Sequence, residues 1–264
     1  MTEKGRIRLL AIGNSFSVDT LEYLPNVARS AGYDDILVGN LYIGGCSLNR
    51  HYKNAVENLS EYVYFENKGD VWERREGVAI SEALLRYDWD IISIQHGTGD
   101  KSRYTSPESY SNLEGLIKYV KERVGKNTKV VFNMAWVGER DYPHHELLSY
   151  GSDQVLMYKS LANLTRELVL NTEGVDAVIP TGTAVQNART SKLRNRISRD
   201  GYHVSLVFGR FLTSLTYFSY LFQCAPESVL WRPEQLSEEE YAVAVESARG
   251  AIASPFGITD SKFL

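Results

Sequence analysis

Cysteine is almost missing. The 264-residue chain has two, Cys46 and Cys224, too few for a disulfide framework and not spaced as a C-x-x-C pair. Both read as buried thiols and not as ligands. An excess of positive charge is missing too. Lys and Arg number 29 against 33 Asp and Glu, for a net charge of −4 with both signs mixed along the chain, so there is no electrostatic footprint for nucleic acid. A secretory signature is absent: MTEKGRIRLLAIGNS passes from charge straight into an apolar run too short for a signal h-region, and no small-residue cleavage site follows. The expected compartment is the cytoplasm for the chain as it stands, and the periplasm or exterior if a leader has been removed. A clean membrane-length hydrophobic run is also wanting. The nearest, VSLVFGRFLTSLTYFSYLF over 204–222, contains Arg210, Thr213, Ser214, Thr216 and Ser219 and reads as a buried helix with no membrane partner. Without internal repeats, low-complexity tracts or linkers, one domain over 1–264 is expected.

What is present is enough apolar material for a large core, 43% of residues, in an alternating pattern. Apolar runs ended by polar or glycine residues predict strands at Arg6–Ile12, Ile36–Ile43, Asp90–Gln95, Lys129–Ala135 and Val175–Ile179. Between them, helical spacing predicts helices at Asp19–Ala31, 49–60, Val78–Arg86, Pro107–Val124, Asp153–Leu170, 183–190, Val204–Phe222 and Ser237–Ala253. Aromatics flanking Asn67-Lys68-Gly69-Asp70 predict a hairpin inserted at about 60–77, a candidate lid. The pattern implies a five-stranded parallel sheet with helices on both faces. Sites in such sheets form beyond the carboxyl ends of the strands, and three polar clusters fall there: Gly13-Asn14-Ser15, Gly44-Gly45-Cys46 and Gln95-His96-Gly97.

Two stretches carry the chemistry. In LLAIGNSFSVDT, Ser15 follows the first strand and precedes a helix. A serine there is favoured as a helix cap; the alternative is a nucleophile beside free helix N–H groups, active once a base takes its proton. The elbow G-x-S-x-G is not formed, because position 17 is Ser17. In RDGYHVSLVFGRFL, Asp200 and His203 stand three apart. In a turn at a helix entry that spacing lets the carboxylate orient the imidazole and leaves the far nitrogen to work on a hydroxyl; the alternative is an aspartate cap with a histidine after it.

Together these stretches resemble the SGNH (GDSL-type) hydrolases. The first block of that family, G-D-S-x-S, is matched by Gly13-Asn14-Ser15-Phe16-Ser17; the glycine of the second by Gly45 in IGGCSL; and the last, D-x-x-H-x-S-x-x-G, begins at Asp200 and His203 and continues through Ser205. The likeness is greatest to a bacterial branch with G-N-S-F at the first block and a W-D-x-x-x-x-Q strand, here DWDIISIQHGTGD. The resemblance implies a three-layer flavodoxin-like α/β fold, Ser15 as nucleophile, His203 as base, Asp200 as its orienter, and oxyanion donors from the N–H groups of Ser15 and Gly45. It implies no metal and no organic cofactor. Asn14 replaces the aspartate of the first block, for which a structural effect is expected. The third block, G-x-N-D, is replaced by Gly97-Thr98-Gly99-Asp100, which lacks the donor asparagine. Gln95 is the assigned third oxyanion donor, by analogy with carbohydrate esterases that carry Q-G-E-x-D here, and His96 is its rival.

The expected activity is hydrolysis of small O-acyl esters, O-acetyl groups on carbohydrate foremost, with a small-molecule or oligosaccharide ester as partner. The 17 tyrosines suit a sugar groove as well as a core edge. The alternatives are a lipid or thioester hydrolase with the same triad, and a non-catalytic carbohydrate-binding protein on a decayed hydrolase fold. Arg50 and His51 are weaker candidates for substrate contact, against a solvated loop. His144-His145 lack a third metal ligand at helical spacing, and ERDYPHHELLSYG reads as a loop near the site that shapes substrate access. Cys46 lacks the C-x5-R arginine, since position 52 is Tyr52, and GGCSLNR lacks the G-K-[ST] ending of a phosphate loop. The sequence fixes no oligomeric state.

Overall fold

The computed structural model describes residues 5–69, 71–97, 105–142 and 145–264, with the backbone alone for His145 and Asn195. Asp70, Thr98-Gly99-Asp100 and His144, named above, lie outside the described residues. The chain divides into two compact units, each built from several segments. The first takes residues up to Val18, Gly32–Asn133 and Leu164–Val178; the second takes Asp19–Ala31, Met134–Asn163 and Ile179–Leu264.

The sheet belongs to the first unit. Its strands are β1 (Arg6–Gly13), β2 (Asp35–Tyr42), β3 (Tyr62–Asn67), β4 (Trp72–Val78), β5 (Ile91–Gln95), β6 (Lys129–Asn133) and β7 (Ala177–Ile179), of which the last residue counts with the second unit. Their order is β4-β3-β2-β1-β5-β6-β7. β1 pairs in parallel with β2 and β5, and β5 with β6. These strands are apolar runs buried along most of their length, as strands covered on both faces should be. The expectation of five parallel strands is corrected: among the described residues the sheet has seven, and the 60–77 segment is no free-standing insert. β3 lies antiparallel on β2, from Val38 opposite Asn67 to Tyr42 opposite Val63, and β4 lies antiparallel on β3. β4 closes the edge with an exposed Glu73-Arg74-Arg75-Glu76 run, whose charges discourage pairing with another chain.

The helices are α1 (Ser15–Leu21), α2 (Leu24–Ser30), α3 (Leu48–Val56), α4 (Ile80–Leu84), α5 (Leu113–Lys121), α6 (His145–Leu148), α7 (Gln154–Leu164), α8 (Thr181–Ala188), α9 (Phe208–Phe222) and α10 (Glu238–Ala253). In the first unit α3 packs on α4 and α5; in the second, α9 packs on α2, α8 and α10. The single helix expected over Asp19–Ala31 is two, and the first begins at Ser15. Pro25, in the first turn of α2, has no N–H to continue α1 and its ring would clash with the carbonyl four residues earlier. The helix expected from Val204 begins at Phe208, because the chain up to Val204 is held in a closed loop by a bridge between Ser198 and Val204. α9 is 15 residues long, with its apolar side chains buried from Phe208 to Phe218 and only partly covered in the last turn. Among the described residues no helix is long and apolar enough to cross a membrane. α10 starts where the sequence says it should, at a capping box between Ser237 and Glu240.

Candidate active-site residues

In the first unit, the ends of β1, β2 and β5 are joined by one side chain. Asn14 is 1% exposed. Its Nδ2 donates to the carbonyls of Cys46 and His96, each at 3.1 Å. Its Oδ1 accepts from the Phe16 N–H at 3.0 Å and from Gln95 Nε2 at 2.6 Å. Two backbone carbonyls on one side and an N–H on the other fix the amide orientation. An aspartate could not make these bonds, since an ionised carboxylate donates nothing; asparagine here is a requirement of the three-loop junction. The closeness of the loops also explains Gly97, where a β-carbon would stand 1.9 Å from the Cys46 carbonyl oxygen and 2.5 Å from Asn14 Nδ2.

Ser15 heads α1. Its neighbours Asn14, Phe16 and Ser17 are buried while Ser15 itself is half-buried, so it is the accessible side chain of that turn. The helix cap is Asn14, which receives the Phe16 N–H. Gly45 lies half-buried in the turn after β2. Gln95 is buried at the end of β5 and donates one amide hydrogen to Asn14. His96 is buried between aromatic rings, 6.1 Å from both Phe16 and Phe132, and burial pushes its pKa down to about 3.

Arg50 and His51 part company. Arg50 is exposed and paired with Glu61 at 3.1 Å, on the rim of an open pocket of about 420 Å³ that Lys53 and Asn54 also line. The solvated reading of His51 is corrected: it is fully buried on the inner face of α3 with Leu48, Asn54 and Ala55. Its Nδ1 lies 2.8 Å from the Tyr62 hydroxyl and 3.4 Å from the buried Cys46 sulfur. Burial pushes its pKa down to about 3, with Arg50 adding to the shift. A neutral, enclosed imidazole does not meet a substrate carboxylate.

In the second unit, Asp200 and His203 are brought together. His203 Nδ1 lies 2.6 Å from Asp200 Oδ2. Asp200 Oδ1 accepts from the N–H groups of Tyr202 at 2.9 Å and His203 at 2.7 Å. Burial raises the Asp200 pKa, but the bonds from the His203 ring and from the two backbone N–H groups outweigh it and hold the carboxyl below its usual range. The side chains are 47% and 26% exposed. Gly201 makes the turn at φ +84°, a conformation other residues adopt at a cost. The Arg199 N–H closes the loop onto the His203 carbonyl at 3.0 Å.

The segment after β6 supports that loop. Trp136 Nε1 donates to the Tyr202 carbonyl at 2.7 Å, and the Glu139 N–H donates to the Gly201 carbonyl at 2.7 Å. Tyr142 stacks on Tyr202 with ring centres 5.6 Å apart. The stretch opening with Glu139 therefore does lie beside the Asp200–His203 loop; it contains α6, and His144 and the side chain of His145 lie outside the described residues. Sequence reasoning missed Trp136, and it missed Asp19, which enters it only as the start of an expected helix. Asp19 is fully buried and takes Arg199 and Arg210.

The family described as Domain of unknown function (DUF4886) matches residues 8–251. No curated protein matches. Among solved structures, a DUF4886 family protein from Bacteroides uniformis is 33% identical, over 97% of this chain and 98% of that one, with a TM-score of 0.91. An alpha/beta hydrolase enzyme from the metagenome of Lake Arreo, Spain, is 11% identical over 84% and 99%, with a TM-score of 0.54. An acetylxylan esterase from Geobacillus stearothermophilus is 12% identical over 87% and 98%, with a TM-score of 0.53. At such identities the last two show a shared fold.

Proposed function

The chain belongs to the DUF4886 family, and from that premise we propose that it is a serine esterase of SGNH type acting on small O-acyl esters, chiefly O-acetyl groups on carbohydrate. The observation that carries the reading is the Asp200–His203 pair. A carboxylate fixed by two backbone N–H groups holds Nδ1 at 2.6 Å, which sets the tautomer with Nε2 as acceptor and stabilises the imidazolium that forms when Nε2 takes a proton.

In this reading Ser15 Oγ attacks the acyl carbon while its proton passes to His203 Nε2. The tetrahedral oxyanion is met by the N–H groups of Ser15 and Gly45 and by the second amide hydrogen of Gln95; one such donor contributes about 3 kcal/mol to the transition state. Collapse breaks the ester bond, and His203 returns the proton to the leaving alcohol. Water then attacks the acyl-enzyme, giving its proton to His203, and release of the acid regenerates Ser15. The fold shared with an acetylxylan esterase supports carbohydrate O-acetyl groups as the substrate class.

Hydrolysis of a nitrophenyl ester series tests this. A sharp optimum at acetate, lost in Ser15→Ala, is the expected outcome. Activity rising toward long acyl chains would move the assignment to lipid or thioester hydrolysis. Stoichiometric sugar binding with no turnover would make the protein a carbohydrate-binding module.

A further inference from the structure

The loop that carries Asp200 and His203 is fastened by a carboxylate that belongs to none of the motifs. Asp19 is 0% exposed. Arg199 Nη1 lies 3.0 Å from both of its oxygens, and Arg210 Nε lies 2.9 Å from Oδ1. Arg210 also reaches Glu22, at 3.4 Å. Arg199 does more than pair. Its side chain donates to the Val204 carbonyl and its backbone N–H to the His203 carbonyl. It therefore grips the loop immediately beyond His203 from both backbone and side chain, and Asp19 holds the guanidinium there.

The chain positions make the grip directional. Asp19 stands four residues after Ser15 in the single helix α1, one turn along the same face. Arg199 is the residue before Asp200. A buried carboxylate without its guanidinium partners is strongly disfavoured, and the same holds in reverse. Movement of the loop away from Asp19 would therefore break these ion pairs at a high cost. The pair within the loop, Asp200 with His203, needs none of this: its bonds are internal to residues 200–203.

We propose that Asp19 is a positioning residue, which through Arg199 fixes the loop that carries the Asp200–His203 pair. The inference rests on the esterase reading above for its kinetic consequence, and on the ion-pair geometry for its structural one. A sub-ångström change in the position of the base leaves substrate binding intact and slows the step in which the serine proton moves, since misplacement by about 1 Å costs up to about a hundredfold.

The test uses the full chain with Asp19→Asn, Arg199→Ala and Arg199→Lys. The control is Glu238→Gln, which removes an exposed ion pair with Arg232. Three quantities are read: kcat and KM on nitrophenyl acetate, the low-field NMR signal of the His203 Nδ1 proton, and amide exchange at Tyr202–Val204. For Asp19→Asn, kcat is expected to fall by about tenfold to a hundredfold, with KM and the low-field signal kept and amide exchange faster. Arg199→Lys should recover part of what Arg199→Ala loses, and Glu238→Gln should match the parent. A folded Asp19→Asn with the parent's kcat and the parent's exchange overturns the proposal, and so does loss of the low-field signal, which would mean that the pair itself was damaged. If Asp19→Asn does not fold, the two Arg199 variants decide alone. A parent protein that turns over no ester sinks the esterase reading, and amide exchange still decides the fastening.

Discussion

Two regions, one in each unit, handle polarity in opposite ways. Around the ends of β1 and β5 in the first, the polar groups are buried and uncharged: Asn14, Gln95, His96 and, on α3, His51. In the second, the polar groups of the 198–204 loop are charged, with Asp200 and His203 half-exposed and Asp19 buried only because two arginines meet it. Under the proposed esterase reading the contrast is one of task. Neutral amides and imidazoles make short fixed hydrogen bonds in a low-dielectric interior without the cost of burying charge, so they suit the shaping of backbone turns. A group that must gain and lose a proton needs a charged partner and access to solvent or substrate.

The largest effects should come from charging the neutral junction. Asn14→Asp removes both donors facing the Cys46 and His96 carbonyls, and is expected to lower unfolding free energy by about 3 kcal/mol. Burial would raise the new carboxyl's pKa, so this loss should grow as pH rises through the ordinary carboxylate range. Gly97→Ala forces a β-carbon against the Cys46 carbonyl and is expected to cost about 3 kcal/mol, the upper range for overpacking, with no pH dependence. Urea titrations at two pH values separate the two variants. An Asn14→Asp protein as stable as the parent would mean that the junction does not need a donor.

These two regions were unequally legible in the sequence. β1 and β5 could be read because a strand covered on both faces is an apolar run with a polar end, as in DIISIQ. The cap of α10 could be read because a capping box is local. The seven-stranded sheet could not. YVYFEN and WERREGV showed a hairpin, but its attachment to β2 is made by main-chain hydrogen bonds, which leave no mark on side-chain spacing. His51 was misjudged although Leu48, His51 and Ala55 share a helical face; its polarity outweighed its position. Asp200 and His203 were legible because their contact is made within four residues. Asp19 and Arg199 meet across 180 positions, and a single sequence holds no trace of such a pair.

A graded effect should follow acid. His51 and His96 have folded pKa values near 3 against an ordinary 6.5. Below pH 6.5 the unfolded chain takes up protons that the folded chain refuses. Stability is therefore complete above 6.5 and falls as pH drops toward 3, by up to about 1.4 kcal/mol per pH unit for each histidine. His51→Gln and His96→Gln should each flatten the slope of unfolding free energy against pH over that range, whatever they do to its height. Unchanged slopes would place the acid response outside the buried histidines.

The smallest effect belongs to charge at the surface. Arg232 and Glu238 pair at the head of α10 with Glu238 83% exposed. Glu238→Gln should leave stability close to the parent's, and molar salt should remove any difference that remains. A larger, salt-resistant shift would undo the distinction between charge that is held and charge that is merely near.

The most direct measurement is to find where a fluorophosphonate attaches. The protein is treated with the reagent, digested, and the adduct located by mass spectrometry. A single adduct on Ser15, formed slowly or not at all in His203→Gln, is the expected result. An adduct on another residue, or reaction at Ser15 that proceeds at the same rate without His203, would contradict the assignment of this serine and this imidazole to one reaction.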